Sequence, residues 1–366
     1  MLDFTSALYL GMRHPHSTLK PWRTLTTGRP AALEEPLGAA AAAQELAQLI
    51  GCESGALATS TLHVFWDIFE VLAQEQIALF IDSSSYPIAR WGAERAAAKG
   101  VPLTIFPQHN PAALERSLLG CGRQRPVVLT DGLDPATGRL SPLPDYLRLV
   151  QERGGWLIVD DTQALGILGR QSKNVAPYGS GGGGAAAWHG LRGPRLIVAA
   201  SLAKGFGAPL AVLAGSRDLI ARYKAKGLCR VHCSAPSAAA VAAANHALQL
   251  NQQWGARLRQ RLAARVRQFR SLLAEFGFSA QGGLFPVQTL RLSAAEVVHR
   301  HLEAEGIWTV LHQTRKKRPA QLSFLLSAEH EPWEIEQAAH SLAEQRQRQA
   351  RTHHHEESSG ICPRSF

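Results

Sequence analysis

Two short segments carry residues whose type and placement suit covalent chemistry. In Trp156-Leu-Ile-Val-Asp160-Asp161, four apolar residues run into an acid. That pattern reads as a buried strand with Asp160 at its carboxyl end, the edge at which open α/β sheets bind ligands. A buried carboxylate is costly without a positive partner, and a protonated pyridine nitrogen is one partner that suits it. The other reading is an acid that caps the following turn. In Ile197-Val-Ala-Ala-Ser201-Leu-Ala-Lys204-Gly205-Phe-Gly207, a strand runs into a Ser-x-x-Lys-Gly-x-Gly loop. A lysine deep in apolar surroundings is desolvated, which favours the neutral amine that Schiff-base chemistry needs. Ser201 is placed to donate to a phosphate, and the glycines would let a bulky cofactor approach the backbone. Each segment is weak alone. Together they are specific.

The elements that must hold these residues follow from the apolar pattern. Helices expected over 39–50, 61–74, 87–99, 111–119 and 143–153 alternate with short strands at 55–59, 77–81, 102–106, 127–130, 156–159, 195–200 and 210–214. All-apolar strands alternating with helices predict an α/β fold with a mostly parallel sheet covered on both faces. A long helix over 237–276, interrupted at Gly255, comes next. Strands at 285–290, 307–311 and 322–326 with helices at 294–305 and 332–346 then predict a smaller α+β domain. The expected division is an N-terminal segment 1–35, a large domain 36–225, a small C-terminal domain 226–345 and a mobile tail 346–366 containing His353-His354-His355.

Composition narrows the classes. The chain has 366 residues, 45% hydrophobic and 19% charged, which excludes a disordered or coiled-coil protein. A net charge of +10 favours anionic partners such as a phosphorylated cofactor, coenzyme A or an acidic carrier protein. No basic module interleaved with aromatics points to nucleic acid. Five cysteines without an even framework read as a reduced, intracellular chain. The apolar run 196–215 is interrupted by Lys204, so a membrane span is not expected. Cys229-Arg-Val-His232-Cys233 lacks a second ligand pair, so no metal is expected; His232 is instead expected to line a substrate cleft. Arg315-Lys-Lys-Arg318 reads as a solvated turn or an anion site.

The motifs resemble those of the fold-type-I pyridoxal-phosphate (PLP) enzymes, and within them the α-oxoamine synthases. Val159–Gly169 is similar to that family's Val-Asp-Asp-Ala-His-x-x-Gly-x-x-Gly, and Ser201–Gly207 to its Thr-Leu-Ser-Lys-x-x-Gly. Asp131-Gly132 through Pro142-Leu143, and Asp3 to Gly11, resemble two further family stretches. The resemblance implies a large mixed, mostly parallel sheet domain that binds pyridoxal 5'-phosphate, a small α+β domain, a homodimer and a cytoplasmic enzyme. Lys204 would hold the cofactor and move protons, Asp160 would pair with the pyridinium nitrogen, and Ser201 would bind the phosphate. Ser60, Thr61 and Leu62 would receive the phosphate at a helix start, Thr61 replacing a glycine. Tyr86 would stack on the ring and share in catalysis where the family has histidine. Gln163 would contact the 3-hydroxyl, also in place of histidine. Gln321-Leu-Ser323 stands where the family has Arg-Leu-Arg, so the usual grip on a substrate carboxylate is missing, and Arg315 and Arg318 are the nearest replacement cations. The implied reaction is decarboxylative condensation of an amino acid with an acyl thioester, on coenzyme A or an acyl carrier protein, to an aminoketone. The alternatives are an aminotransferase acting on a small amine or amino acid, and a catalytically retired subunit.

Overall fold

The alternation of apolar strands and helices yields seven strands, β1 (Ser54–Ala58), β2 (Ile77–Asp82), β3 (Leu103–Phe106), β4 (Arg125–Asp131), β5 (Trp156–Asp160), β6 (Leu196–Ser201) and β7 (Ala211–Gly215). They form one sheet in the order β1-β7-β6-β5-β4-β2-β3. The pairs β2–β3, β2–β4, β4–β5 and β5–β6 are parallel, while β7 runs antiparallel to both of its neighbours. The computed structural model describes residues 1–171, 176–292, 294–313 and 320–358, with side chains to 346.

Every residue of β2, β5 and β7 is buried, as strands covered on both faces require. Helices α1 (Ala39–Ile50), α2 (Thr61–Leu72) and α3 (Pro87–Ala98) follow the expected spans. In α2, Val64, Phe65, Ile68, Phe69 and Leu72 recur at helical spacing and enter the core beside Leu79, Ile81 and Ile158. Burying each of the two phenylalanines contributes about 1.5–3 kcal/mol. Because β6 and β7 are antiparallel neighbours, no crossover helix is needed between them, and a short loop carries Lys204. The apolar run 196–215 is therefore strand, lysine loop, strand. Among the described residues no helix is long and apolar enough to cross a membrane.

The chain divides into two units. The larger comprises Ala7–Pro135 and Arg139–Gln260, and the smaller Met1–Ser6, Ala136–Gly138 and Arg261–Phe366. The smaller unit has an antiparallel sheet of β8 (Ala280–Gln281), β9 (Val287–Arg291), β10 (Val310–His312) and β11 (Gln321–Leu325), in the order β8-β9-β11-β10. Phe324 packs there against Phe4 and Phe269, at ring separations of 5.7 and 5.0 Å.

Three expectations need correction. The helix Ala238–Glu275 runs unbroken through Gly255. A Cβ at Gly255 would lie 2.5 Å from Asn251 Oδ1 and 2.9 Å from Arg259 Nη2. The glycine makes room for a buried arginine and does not end the helix. The larger unit extends to Gln260 and not to residue 225, because the first half of this helix is tied to it: Arg259 donates to the Gly166 carbonyl, and Asn251 to that of Gly181. Lastly, the final helix is Pro332–Ser358, extending into the expected tail; Arg346-Gln-Arg-Gln-Ala-Arg351 are all good helix formers.

Candidate active site

Strand direction decides which residues share an edge. β5 and β6 are parallel, so Asp160 at the end of β5 and the lysine loop after β6 lie at the same edge. β1 and β6 are both antiparallel to β7, with Ala58, Ala211 and Ser201 in register across the three strands. Ser60, two residues past Ala58, therefore joins that edge. β2 ends there with Asp82, four residues before Tyr86, and β4 with Asp131, which is the register partner of Asp160. The topology thus brings Ser60, Tyr86, Asp131, Asp160, Ser201 and Lys204 to the carboxyl edge of one sheet, where open α/β sheets bind ligands.

Burial pushes the Lys204 amine below its ordinary range, and the charges of Asp160 and Asp131 oppose that shift. The lowered value keeps a neutral amine accessible, which a nucleophilic or proton-moving lysine requires. Asp160 is 6% exposed. Burial raises its pKa, against the Thr162 hydroxyl and N–H and the Lys204 charge, which hold it down. The Thr162 N–H donates to Oδ1 at 3.1 Å, and Thr162 Oγ1 accepts the N–H of Ser201 at 3.0 Å. A single threonine therefore ties the acid to the serine before the lysine.

The adjacent acid behaves differently. Asp161 is wholly buried and accepts the Ala185 N–H at the start of the helix Gly184–Trp188. Burial pushes it up to about 7. Capping a turn is the job of Asp161, leaving Asp160 to face the lysine.

Gln163 Oε1 accepts a hydrogen bond from Tyr9 at 2.9 Å, so its amide nitrogen is the end left to meet an acceptor. Burial raises the Tyr9 phenol and keeps it a donor. Ser60 is the N-cap of α2, and its Oγ lies 2.8 Å from His63 Nδ1. The first amides of that helix, from Thr61 and Leu62 onward, have no intrahelical acceptor and suit an anion. Tyr86 caps α3, is 56% exposed and presents an open ring face; its N–H donates to Asp131 Oδ1 at 3.1 Å.

The glycines of the lysine loop serve another end than expected. A Cβ at Gly205 would strike the Leu165 carbonyl, and one at Gly207 (φ 63°) that of Met12. They let neighbouring backbone, rather than a cofactor, come close. The Phe206 carbonyl accepts from His14 Nε2 at 2.8 Å.

Other candidates lie elsewhere. His232 ends the short helix Leu228–His232 and is exposed, with no hydrogen bond to the edge residues. Cys229 is pushed up to about 12 by burial and Asp67, which disfavours the thiolate a metal needs. Among the described residues no group of three or more His, Cys, Asp or Glu is arranged to hold a metal ion. Ser323 belongs to the smaller unit and is fully buried, its Oγ 2.7 Å from Thr289 Oγ1 and 2.9 Å from His312 Nε2. Arg315 and Arg318 lie outside the described residues.

Residues 18–342 match the aminotransferase class I and II family. The chain belongs to that family. It is a PLP-dependent transferase, and serine palmitoyltransferase structures with bound PLP are among its structural neighbours. An 8-amino-7-oxononanoate synthase from Dechloromonas aromatica is 28% identical over 278 residues, 75% of this chain and 69% of that protein. Two other curated synthases are matched over 60% and 64% of their length, so the chain spans somewhat under two thirds of them. Among solved structures, Sphingomonas wittichii serine palmitoyltransferase has a TM-score of 0.78 at 16% identity, covering 93% of this chain and 85% of that one. The 8-amino-7-oxononanoate synthase of Francisella tularensis has a TM-score of 0.74 at 19% identity, covering 96% and 99%.

The edge fits this cofactor. Asp160 ends its strand at the edge that carries Lys204, so a ring bearing a positive nitrogen meets an acid beside the amine. Tyr9, Asp131 and His63 lie in stretches that resemble the family's, but the sequence assigned none of them a role, because each acts through a partner that only the folded chain brings near.

Proposed function

We propose that this family member is a transferase of the α-oxoamine synthase type, which joins an amino acid to the acyl group of a thioester with loss of the carboxylate. The observation that carries this reading is the meeting of Asp160 and a lysine with a lowered pKa, Lys204, at one sheet edge. When bound, pyridoxal phosphate supplies an electron sink that stabilises negative charge on the amino-bearing carbon. The chain's own residues do the rest. The Lys204 amine anchors the cofactor and takes and returns the proton of that carbon. The Asp160 carboxylate holds the ring nitrogen protonated. Ser201 and the start of α2, with Ser60, Thr61 and Leu62, receive the phosphate. The Gln163 amide nitrogen donates to the phenolic oxygen, and the exposed ring of Tyr86 offers a stacking face. The homodimer, the cytoplasmic location and the acyl-CoA or carrier-protein donor are parts of the same proposal, and rest on the resemblance.

Aminotransfer is the second reading, favoured by the match of residues 18–342 to the aminotransferase class I and II family. Ser323, where the resemblance has a carboxylate-gripping arginine, has its hydroxyl engaged by Thr289 and His312, and it does not separate the two readings, since both bind an amino acid carboxylate. Thiol release from acyl-coenzyme A with an amino acid present decides between them: a synthase frees the thiol, an aminotransferase does not. Lys204→Ala should lower turnover at least about 1,000-fold and abolish borohydride labelling. Label recovered on a peptide without Lys204 would remove it from its role.

A further inference from the structure

Three acids end neighbouring strands at the active-site edge, and they differ in how well their charge is met. Asp82 Oδ1 accepts the Ser84 N–H at 3.0 Å and its hydroxyl at 2.7 Å. Asp82 Oδ2 accepts the His109 N–H and the Tyr146 hydroxyl, both at 3.1 Å. Four donors satisfy that carboxylate within the fold. Asp160 has the N–H and hydroxyl of Thr162 and the charge of Lys204. Asp131 has one donor among the described residues, the Tyr86 N–H. It is also the direct register partner of Asp160. Two carboxylates so placed do not both ionise at ordinary cost, and the proton goes to the one with fewer donors.

We propose that Asp131 is a positioning residue that carries a proton around neutral pH, its carboxyl holding the backbone of Tyr86 while Asp160 remains the one ionised acid beside Lys204. The groups facing Asp131 support this. Burial of the carboxyl, then the negative charges of Asp160, Asp82 and Asp134, push it well above the usual carboxylate range, and the Tyr86 N–H only partly offsets them. Lys204, the nearby cation, is itself shifted toward its neutral form. With Asp131 neutral, a cofactor carrying one positive ring nitrogen meets one negative charge at Asp160. The inference therefore deepens the functional reading above and rests on it for the cofactor's place, though not for the proton.

Asp131→Asn is the variant that tests this. It keeps the oxygen that accepts from Tyr86 and matches a neutral carboxyl in shape. In the infrared difference spectrum of wild-type holoenzyme minus Asp131→Asn around neutral pH, a protonated-carboxyl C=O band is expected; ionised-carboxylate bands in its place overturn the proposal. If the variant does not fold, the same band is sought in Asp161→Asn protein with isotope-labelled aspartate carboxyls, where the buried Asp161 carboxyl no longer contributes, and finding only ionised carboxylates is again the overturning result. Cofactor titration gives a second, independent arm. Asp131→Asn should bind pyridoxal phosphate within about threefold of wild type, and Asp160→Asn at least about tenfold more weakly. Asp131→Asn weakening as much as Asp160→Asn overturns the neutral Asp131. Asp160→Asn binding as wild type does would instead overturn the functional reading, and leave the proton on Asp131 to the infrared band.

Discussion

At the edge of the large sheet, strand register collects Asp131, Asp160 and Lys204 and leaves them poorly matched: the acids are raised, the lysine lowered, and Asp131 has one donor among the described residues. On the small sheet, register places Thr289 opposite Ser323, and a hydroxyl chain to His312 closes among neutral groups. Both clusters consist of polar side chains on neighbouring strands. Only the first holds charge that the protein itself does not satisfy. Buried polar groups normally find their partners within the fold, so an under-satisfied cluster at a sheet edge marks the place where a ligand completes the hydrogen bonding.

The first way to break this contrast is to neutralise the acid facing the lysine. Asp160→Asn should keep the fold and lower turnover about 100-fold or more, close to 3 kcal/mol of transition-state stabilisation. Steady-state rates at saturating cofactor check it, and wild-type turnover would make the edge merely structural. A sharper comparison comes from Asp161, the buried acid whose oxygens are used inside the fold. Its folded pKa of about 7 lies above the ordinary value of 3.8, so between these limits the folded chain holds a proton that the unfolded chain has lost. Stability therefore falls as pH rises through that window, by up to about 4 kcal/mol. Asp161→Asn should flatten that portion of a urea-unfolding series taken across pH. A variant whose slope parallels wild type would show Asp161 already ionised in the fold. The smallest effect is expected on the small sheet. Ser323→Ala should cost about 1–2 kcal/mol in urea unfolding, since it strands the buried Thr289 hydroxyl. A negligible loss would mean that the hydroxyl chain is not closed after all.

Much of the large sheet could be read from the chain, because its strands are short apolar runs and its helices carry apolar residues at helical spacing. Asp160 and Lys204 were legible for a similar reason: each breaks an apolar run, Asp160 at its carboxyl end and Lys204 within it. Asp131 was harder. It too ends a strand, but its importance comes from facing Asp160, and pairing between β4 and β5 is not written in either strand alone. Gly255 misled because glycine in a helix usually signals an end, and only the buried guanidinium of Arg259 explains it. The glycines beside Lys204 misled similarly, since their crowding partners, Leu165 and Met12, are distant in sequence.

The segment around Tyr9 to His14 has a consequence for how the chain is made. Tyr9, Leu10 and Met12 are almost fully buried, and the partners that fix this segment, Gln163 and the Phe206 carbonyl, come far later in the sequence. On the ribosome these apolar side chains emerge early and wait, exposed, through the synthesis of the whole lysine loop. Contacts of such long separation form late and slowly. The segment that seals the lysine loop is thus made well before the loop itself and is among the last to dock, and during that interval it is an aggregation-prone stretch for chaperones to shield.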